Sequence, residues 1–199
     1  ITEEEGKDIV GTLVPFDHQE NLTYINDIKH IYELDDQTSR LKTVFECYTD
    51  TVISSVSHDE QGHFWIGSNF GLIHYDPVLK SRTLVPTNLF TEINMVLCDQ
   101  KGKVWIGVDN MLFAYFIKEQ KFVLFGESNG AIQNEYLPNA RLVNEQGDAY
   151  IGGVKGMLRI DGQLLLNTSE MPELQLLDIT INGESANHEW YNHPAKISV

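Results

Sequence analysis

The stretch DEQGHFWIGSNFGLIHYD, residues 59–76, decides the fold of this chain because it recurs. DQKGKVWIGVDNMLFAYF (99–116) and NEQGDAYIGGVKGMLRID (144–161) repeat its order: a turn-forming polar residue, glycine, an aromatic residue, isoleucine and a second glycine. The aromatic position is occupied by Trp65, Trp105 and Tyr150. These three residues lie 40 and then 45 positions apart. A repeat of this length is typical of solenoids, arrays and propellers.

The best-preserved copy predicts four short strands separated by turns. The residues 59–62 (DEQG) and 69–71 (NFG) are turn sequences, since Asp and Asn bond nearby backbone and Gly adopts a positive φ. The strands that we predict from β-branched and alternating patterns cover residues 53–57, 63–68, 72–75 and 82–86. Four antiparallel strands in one such repeat are the content of one propeller blade.

The aromatic–Ile–Gly sequence is interpreted as architectural. A single small sheet cannot bury both of its faces, so neighbouring blades must stack. The aromatic residue supplies apolar area between blades, and the glycine lets adjacent sheets approach closely because it has no Cβ. The residues to which we assign this role are Trp65, Gly67, Trp105, Gly107, Tyr150 and Gly152.

A degenerate copy precedes the other three. In HQENLTYINDIKHIYELD (18–35), Tyr24 takes the aromatic position and Asn26 the position of the second glycine, and residues 41–47 supply a fourth strand. Asn is the residue that best replaces Gly at a left-handed φ. The sequence therefore predicts an all-β fold, a partial β-propeller of about four four-stranded blades over residues 1–170. The blades are centred on Tyr24, Trp65, Trp105 and Tyr150.

The pattern D-x-x-G-x-x-W-I-G-x-x-x-G-L-x-x-Y-D resembles the two-component regulator propeller repeat. This repeat occurs in the extracytoplasmic sensor region of hybrid two-component systems of gut Bacteroidetes. The copy around Trp65 matches nearly every position, whereas Met111 and Leu112 replace Gly-Leu in the next copy. PELQLLDITINGE (172–184) resembles the opening strands of the family's β-sandwich domain. The resemblance implies a truncated β-sandwich start over residues 171–199.

The resemblance also implies a function. It makes the chain a non-catalytic, periplasmic sensor fragment of a hybrid histidine kinase that recognises glycan fragments and takes part in transmembrane phosphorelay signalling. Its partners would be an oligosaccharide and the remaining blades and sandwich of a longer parent protein. Two alternatives remain open: a polysaccharide lyase or hydrolase on a propeller scaffold, and a propeller that binds proteins. An enzyme would need convergent ionisable groups, and arginine is scarce, at four residues.

The charge excludes several classes of partner. The chain has 29 acidic and 14 basic residues and a net charge of −15. Nucleic acids and anionic membrane surfaces need the opposite sign, so we expect neither nucleic-acid binding nor direct membrane contact. Cys47 and Cys98 fall on different repeats, and we expect both to be buried reduced thiols.

No catalytic or metal-binding motif stands out. The chain has no GxGxxG, phosphate loop or HExxH sequence. Three of the seven histidines, His58, His63 and His74, share one repeat, but we place them on different strands or a turn. We therefore expect no metal, no cofactor and no catalytic residue in this chain.

The loops at the blade ends are the expected place for ligands, because loop residues vary freely on a rigid scaffold. Aromatic faces stack on sugar rings, and amides bond sugar hydroxyls. The candidate ligand-binding residues are Asn69, Phe70, Asn88, Phe90, Asn129 and Tyr136. An arc of four blades also leaves open sheet edges, which favour pairing, so we expect a homodimer.

Overall fold

In the computed structural model, which describes residues 13–19, 22–89, 92–163, 180–181 and 184–185, each repeat forms its own antiparallel sheet. Consecutive strands are neighbours in every sheet. Blade 1 contains β1 (Val14–Gln19), β2 (Leu22–Asn26), β3 (His30–Asp35) and β4 (Arg40–Glu46). Blade 2 contains β5 (Ile53–His58), β6 (Phe64–Ser68), β7 (Gly71–Asp76) and β8 (Ser81–Leu84).

Blade 3 contains β9 (Met95–Cys98), β10 (Lys103–Val108), β11 (Met111–Phe116) and β12 (Lys121–Phe125). A single 3₁₀ turn, Glu127–Asn129, follows it. Blade 4 contains β13 (Tyr136–Val143), β14 (Ala149–Gly153) and β15 (Gly156–Ile160). The predicted all-β partial propeller of about four blades is confirmed, and the degenerate first copy forms a complete four-stranded sheet. The last blade has three strands within the described ranges.

The chain divides into two compact units, Ile1–Leu165 and Leu166–Val199. In the second unit the described residues form one hairpin, β16 (Thr180–Ile181) paired with β17 (Glu184–Ser185). The rest of the predicted sandwich start lies outside the described residues. None of the helical structure described here is long and apolar enough to cross a membrane.

The core lies between the blades, because alternate residues of each strand point to opposite faces. On β6, Phe64 and Ile66 pack with Phe45 and other residues of blade 1. Trp65, on the opposite face of the same strand, packs with Val104 and its neighbours in blade 3. The facing apolar side chains of neighbouring blades therefore bury one another.

Gly67 shows why the repeat needs a glycine. A Cβ at this position would lie 2.7 Å from Cγ2 of Ile93 and 2.9 Å from Cγ2 of Val96. Both distances are well below van der Waals contact. The approach of blade 3 to blade 2 thus requires a residue without a side chain.

The first strands of the blades pack against one another at the inner side of the arc. The hydroxyls of Ser55 and Ser57 in β5 accept hydrogen bonds from the N–H groups of Val96 and Cys98 in β9, at 3.0 and 2.9 Å. Serine hydroxyls of blade 2 therefore bond two backbone N–H groups of edge strand β9 in blade 3. Unbonded N–H groups at a sheet edge would otherwise be free to pair with another chain.

Arg141 of β13 ties the inner strands together. Its guanidinium donates to the carbonyls of Val56 in β5 and Val96 in β9, and to the carbonyl of Pro138 at 2.6 Å. Burial lowers the pKa of this guanidinium to about 10, which leaves it charged at neutral pH. A cation enclosed by backbone carbonyls thus joins three successive blades.

Candidate functional site

A cleft opens between blades 1 and 2, where the outer strand β4 faces β7 and β8. Its volume is about 360 Å³, at the small end of the usual range for ligand sites. We call it the aromatic cleft. Its lining residues are Phe45, Cys47, Tyr48, Thr51, Phe70, Ile73, Arg82 and Leu84.

Arg82 organises one wall of the aromatic cleft. Its guanidinium carbon lies 4.1 Å from the ring centre of Tyr48 and 5.3 Å from that of Phe45. Nη1 also donates to the carbonyl of Glu46 at 3.0 Å. Cation–π attraction and this hydrogen bond hold the guanidinium against the rings, so the wall is preformed.

The opposite wall is Phe70, and Asn69 positions it. In the turn between β6 and β7, Oδ1 of Asn69 accepts from the N–H of Val52 at 2.8 Å, and Nδ2 donates to the carbonyl of Asp50 at 3.0 Å. These bonds hold the turn of blade 2 against the connection from blade 1. Phe70 is 53% exposed and Tyr48 is 68% exposed, so both rings are accessible to solvent, with Arg82 over one face of Tyr48.

The chemistry of the aromatic cleft favours binding over catalysis. Its lining residues include no carboxylate and no histidine. Burial raises the pKa of the Cys47 thiol to about 11, with nearby Lys29 and Arg82 acting in the opposite direction. The thiol is therefore neutral and a poor nucleophile. What remains is a pair of apolar ring faces with a guanidinium and a hydroxyl beside them.

A second cavity, of about 260 Å³, lies at the inner side of the arc. Among its lining residues are Asp17, His58, Gln100 and Arg141. Nδ1 of His58 lies 3.2 Å from Oδ2 of Asp17. This cavity is polar. His58 and Asp17 contact each other, and Arg141 donates to backbone carbonyls.

The structure brings together only part of the set of candidate ligand-binding residues. Phe70 lines the aromatic cleft and Asn69 supports it, whereas Asn88, Asn129 and Tyr136 line no part of it. Phe90 lies outside the described residues.

The three predicted candidates away from the cleft have other surroundings. Asn88 is exposed in the connection between β8 and β9. Oδ1 of Asn129 accepts from the N–H of Gly126 at 3.4 Å. Tyr136 is 2% exposed and donates to the carbonyl of Ile132 at 3.1 Å, so it is a core residue with no ring face free for stacking.

The residues assigned to packing differ in their surroundings. Trp65 and Trp105 are 3% and 1% exposed, and Tyr150 is half-buried. A Cβ at Gly107 would lie 2.9 Å from Cβ of Tyr136 in blade 4, whereas one at Gly152 would lie 2.9 Å from Cβ of Ala140 in β13 of the same blade.

Sequence reasoning missed Tyr48 and Arg82. Both lie at the edges of predicted fourth strands of neighbouring repeats, and each strand alone gives no reason to single them out. The signal that could have found them is the stacking of blades, which places the end of β4 beside β8. We also expected His63 and His74 to be apart because they belong to different strands. The pairing of these strands makes them neighbours.

The comparisons with known proteins agree with this fold. No protein-family model matches the chain. A stretch of 93 residues, 47% of the chain, is 25% identical to histidine kinase P4 of Formosa agariphila and covers 7% of that protein.

Two solved structures from Bacteroides thetaiotaomicron, both described as extracellular domains of hybrid two-component systems, are similar to the chain. For BT4673 the TM-score is 0.58 at 18% identity, covering 82% of this chain and 22% of that one. For BT3049 the TM-score is 0.57 at 15% identity, covering 81% and 24%. The predicted resemblance to the extracellular domains of two-component systems is confirmed at the level of the fold. The chain spans less than a quarter of either structure and a smaller part of the kinase.

Proposed function

We propose that this chain is part of the extracytoplasmic, periplasmic sensor region of a hybrid two-component histidine kinase. The observation that carries the proposal is the similarity of its blades to the extracellular domains of BT4673 and BT3049. The partial identity to a histidine kinase supports the same assignment. In this proposal the chain is non-catalytic, and the kinase core and the remaining blades and sandwich belong to the parent protein.

The ligand that we assign to the aromatic cleft is an oligosaccharide. A sugar ring has an apolar C–H face that fits the exposed rings of Tyr48 and Phe70, and hydroxyls that Arg82 and Thr51 can bond. The cleft is built from two blades. A ligand that contacts both blades favours one spacing of the blades over another, and only such a differential affinity can shift a conformational equilibrium and drive phosphorelay signalling.

Calorimetry with a panel of oligosaccharides tests the ligand assignment. We expect binding by the wild-type chain and a loss of affinity in Phe70→Ala and in Tyr48→Ala, each by up to about tenfold. Val78→Ala is the matched control, because Val78 is 87% exposed in another turn of the same blade. Binding that is equally strong in all three variants would remove the cleft from the proposal.

The sensor assignment has its own test, independent of the ligand. A reading frame that continues into a histidine kinase core supports it, and a complete reading frame without one contradicts it.

For the alternative of a lyase or hydrolase, the test is the appearance of new reducing ends or unsaturated products from polysaccharides. Glycoside hydrolysis by the usual route needs two carboxylates beside the bound sugar, and the lining of the aromatic cleft has none.

The homodimer is likewise a proposal. The outer strand β8 of blade 2 is exposed along its whole length, at Ser81, Arg82, Thr83 and Leu84. Exposed strands of this kind favour association. Light scattering that gives the mass of one chain would contradict it.

A further inference from the structure

One cluster of side chains in blade 2 has no place in the proposed sensor site. β6 and β7 are paired so that Trp65 faces His74 and Phe64 faces Tyr75, which puts His63 opposite Asp76. Nε2 of His74 lies 3.1 Å from Nδ1 of His63, and the same Nδ1 lies 3.7 Å from Oδ2 of Asp59. We call Asp59, His63 and His74 the His–Asp cluster.

We propose that the His–Asp cluster binds a divalent transition-metal ion of the Zn²⁺ type. The three donor atoms all lie within 4.8 Å of one another. Zinc bonds of about 2.0–2.1 Å in a tetrahedral site separate the ligand atoms by about 3.3 Å. The separations of 3.1 and 3.7 Å lie on either side of that value. A metal therefore needs only small side-chain movements to be bound by all three.

The carboxylate of Asp59 is held in place by its own repeat. Oδ1 accepts from the N–H groups of Gln61 and His63, both at 3.0 Å, and Oδ2 accepts from the indole N–H of Trp65 at 2.8 Å. A ligating oxygen that also accepts one fixed hydrogen bond has the support typical of metal sites. Asp59 is 6% exposed, so this oxygen is shielded from bulk water.

The two imidazoles are arranged to offer lone pairs. Nε2 of His63 faces Oδ2 of Asp76 at 3.6 Å, which favours a proton on Nε2 and leaves Nδ1 for a metal. Nε2 of His74 lies 3.1 Å from that Nδ1, so the two ring nitrogens converge on one place. Neutral imidazole is the form that binds metals.

The neighbouring repeats show what this location contains elsewhere. In blade 3, Lys103 occupies the position of His63, and its Nζ lies 2.9 Å from Oδ2 of Asp99. In blade 4, Arg159 occupies the position of His74, and its Nη2 lies 2.7 Å from Oδ2 of Asp148. A permanent cation thus lies beside a carboxylate in both repeats, although in blade 4 Asn144 stands at the position of Asp59 and the carboxylate, Asp148, at the position of His63. Blade 2 has two imidazoles instead, and a bound metal ion would supply the equivalent charge.

The donor set selects the kind of metal. Two nitrogen donors and one oxygen donor suit Zn²⁺ and related borderline ions, whereas Ca²⁺ and Mg²⁺ prefer oxygen ligands throughout. Three protein ligands leave one position for water or a small ligand. The ion would connect the turn before β6 to β7. It lies at the end of blade 2 opposite to Phe70, so the two sites can be tested separately.

Calorimetric titration of the chelator-treated 199-residue chain with ZnCl₂ tests the proposal. We expect one strongly bound ion per chain, and a loss of affinity of about tenfold or more in His63→Ala and in His74→Ala. His74→Ala places in blade 2 the residue that blade 3 has at this position, Ala114, so the fold has a precedent for it. His58→Gln is the matched control, since His58 is a half-buried histidine of the same repeat outside the cluster.

A second variant keeps the test decisive. His63→Lys reproduces the ammonium group that blade 3 provides through Lys103, so it should abolish Zn²⁺ binding and leave the far-UV circular dichroism spectrum unchanged. The proposal is overturned if the wild-type chain binds no stoichiometric Zn²⁺, or if His63→Lys and His74→Ala bind it as tightly as the wild type. Equal weakening in His58→Gln would also overturn it, because the binding would then not be specific to the cluster.

Discussion

The indole N–H of Trp65 donates to Oδ2 of Asp59 over 2.8 Å, and the same bond is missing one repeat later. Nε1 of Trp105 is buried and has no hydrogen-bond partner among the described residues. In that repeat Nζ of Lys103 lies 2.9 Å from Oδ2 of Asp99, the oxygen equivalent to the one that Trp65 uses. Two tryptophans with the same packing role thus differ in one hydrogen bond.

This difference predicts unequal costs for the same substitution. Trp65→Phe removes a donor and leaves a buried carboxylate oxygen short of a partner, whereas Trp105→Phe removes a donor that bonds nothing. Both variants lose similar packing. We expect Trp65→Phe to lower the free energy of unfolding by about 1–3 kcal/mol more than Trp105→Phe. Urea denaturation followed by far-UV circular dichroism, in EDTA, measures both values. Equal losses would mean that the bond of Trp65 contributes nothing.

The sequence predicted these blades well because the signals are local. The turn glycines, the alternation in ISSVS and HFWIGS, and the recurring aromatic residue each act within a few positions. The candidate site was predicted only in part, since Phe70 was identified but Tyr48 and Arg82 were not. Their proximity depends on the spacing between blades 1 and 2, which no local pattern encodes. The His–Asp cluster was missed for a related reason, because the proximity of its three side chains depends on strand register.

Gly67 provides a second prediction. A methyl group at this position meets the side chain of Ile93, just before β9, at 2.7 Å and that of Val96, in β9, at 2.9 Å. We expect Gly67→Ala to lower the free energy of unfolding by about 1–3 kcal/mol through overpacking. Gly126→Ala is the control, because its added Cβ meets nothing within 4 Å and its φ is −117°. Its effect should stay within about 0.5 kcal/mol. Urea denaturation distinguishes the two, and a harmless Gly67→Ala would contradict the close approach.

A third prediction concerns Arg141. Arg141→Met removes the donor to the carbonyls of Val56 and Val96 and leaves both without it. We expect a loss of at least about 2 kcal/mol in the free energy of unfolding. Arg141→Lys should fall between Met and the wild type, since an ammonium keeps the charge but not the planar fork of donors. Arg40→Met is the surface control, because Arg40 is exposed. A stable Arg141→Met variant would show that the inner strands hold together without this cation.

The two cysteines report on the aromatic cleft. Both are free thiols with pKa values raised by burial, to about 11 for Cys47 and still further for Cys98. Only Cys47 lines the cleft. A thiol reagent at pH 8 should therefore modify Cys47 slowly and Cys98 only after unfolding, since the thiolate is the reactive form.

Opening the cleft should change one of these rates and not the other. Phe70→Ala removes a wall and is expected to speed the labelling of Cys47 severalfold, while the labelling of Cys98 stays slow because it is 4% exposed in the inner strand β9. Mass spectrometry of the labelled peptides separates the two sites. Faster labelling of both cysteines would indicate that Phe70→Ala loosens the blades as a whole, and an unchanged rate at Cys47 would show that Phe70 does not cover the thiol. Only the selective increase fits a preformed cleft between blades 1 and 2 whose wall is the exposed ring of Phe70.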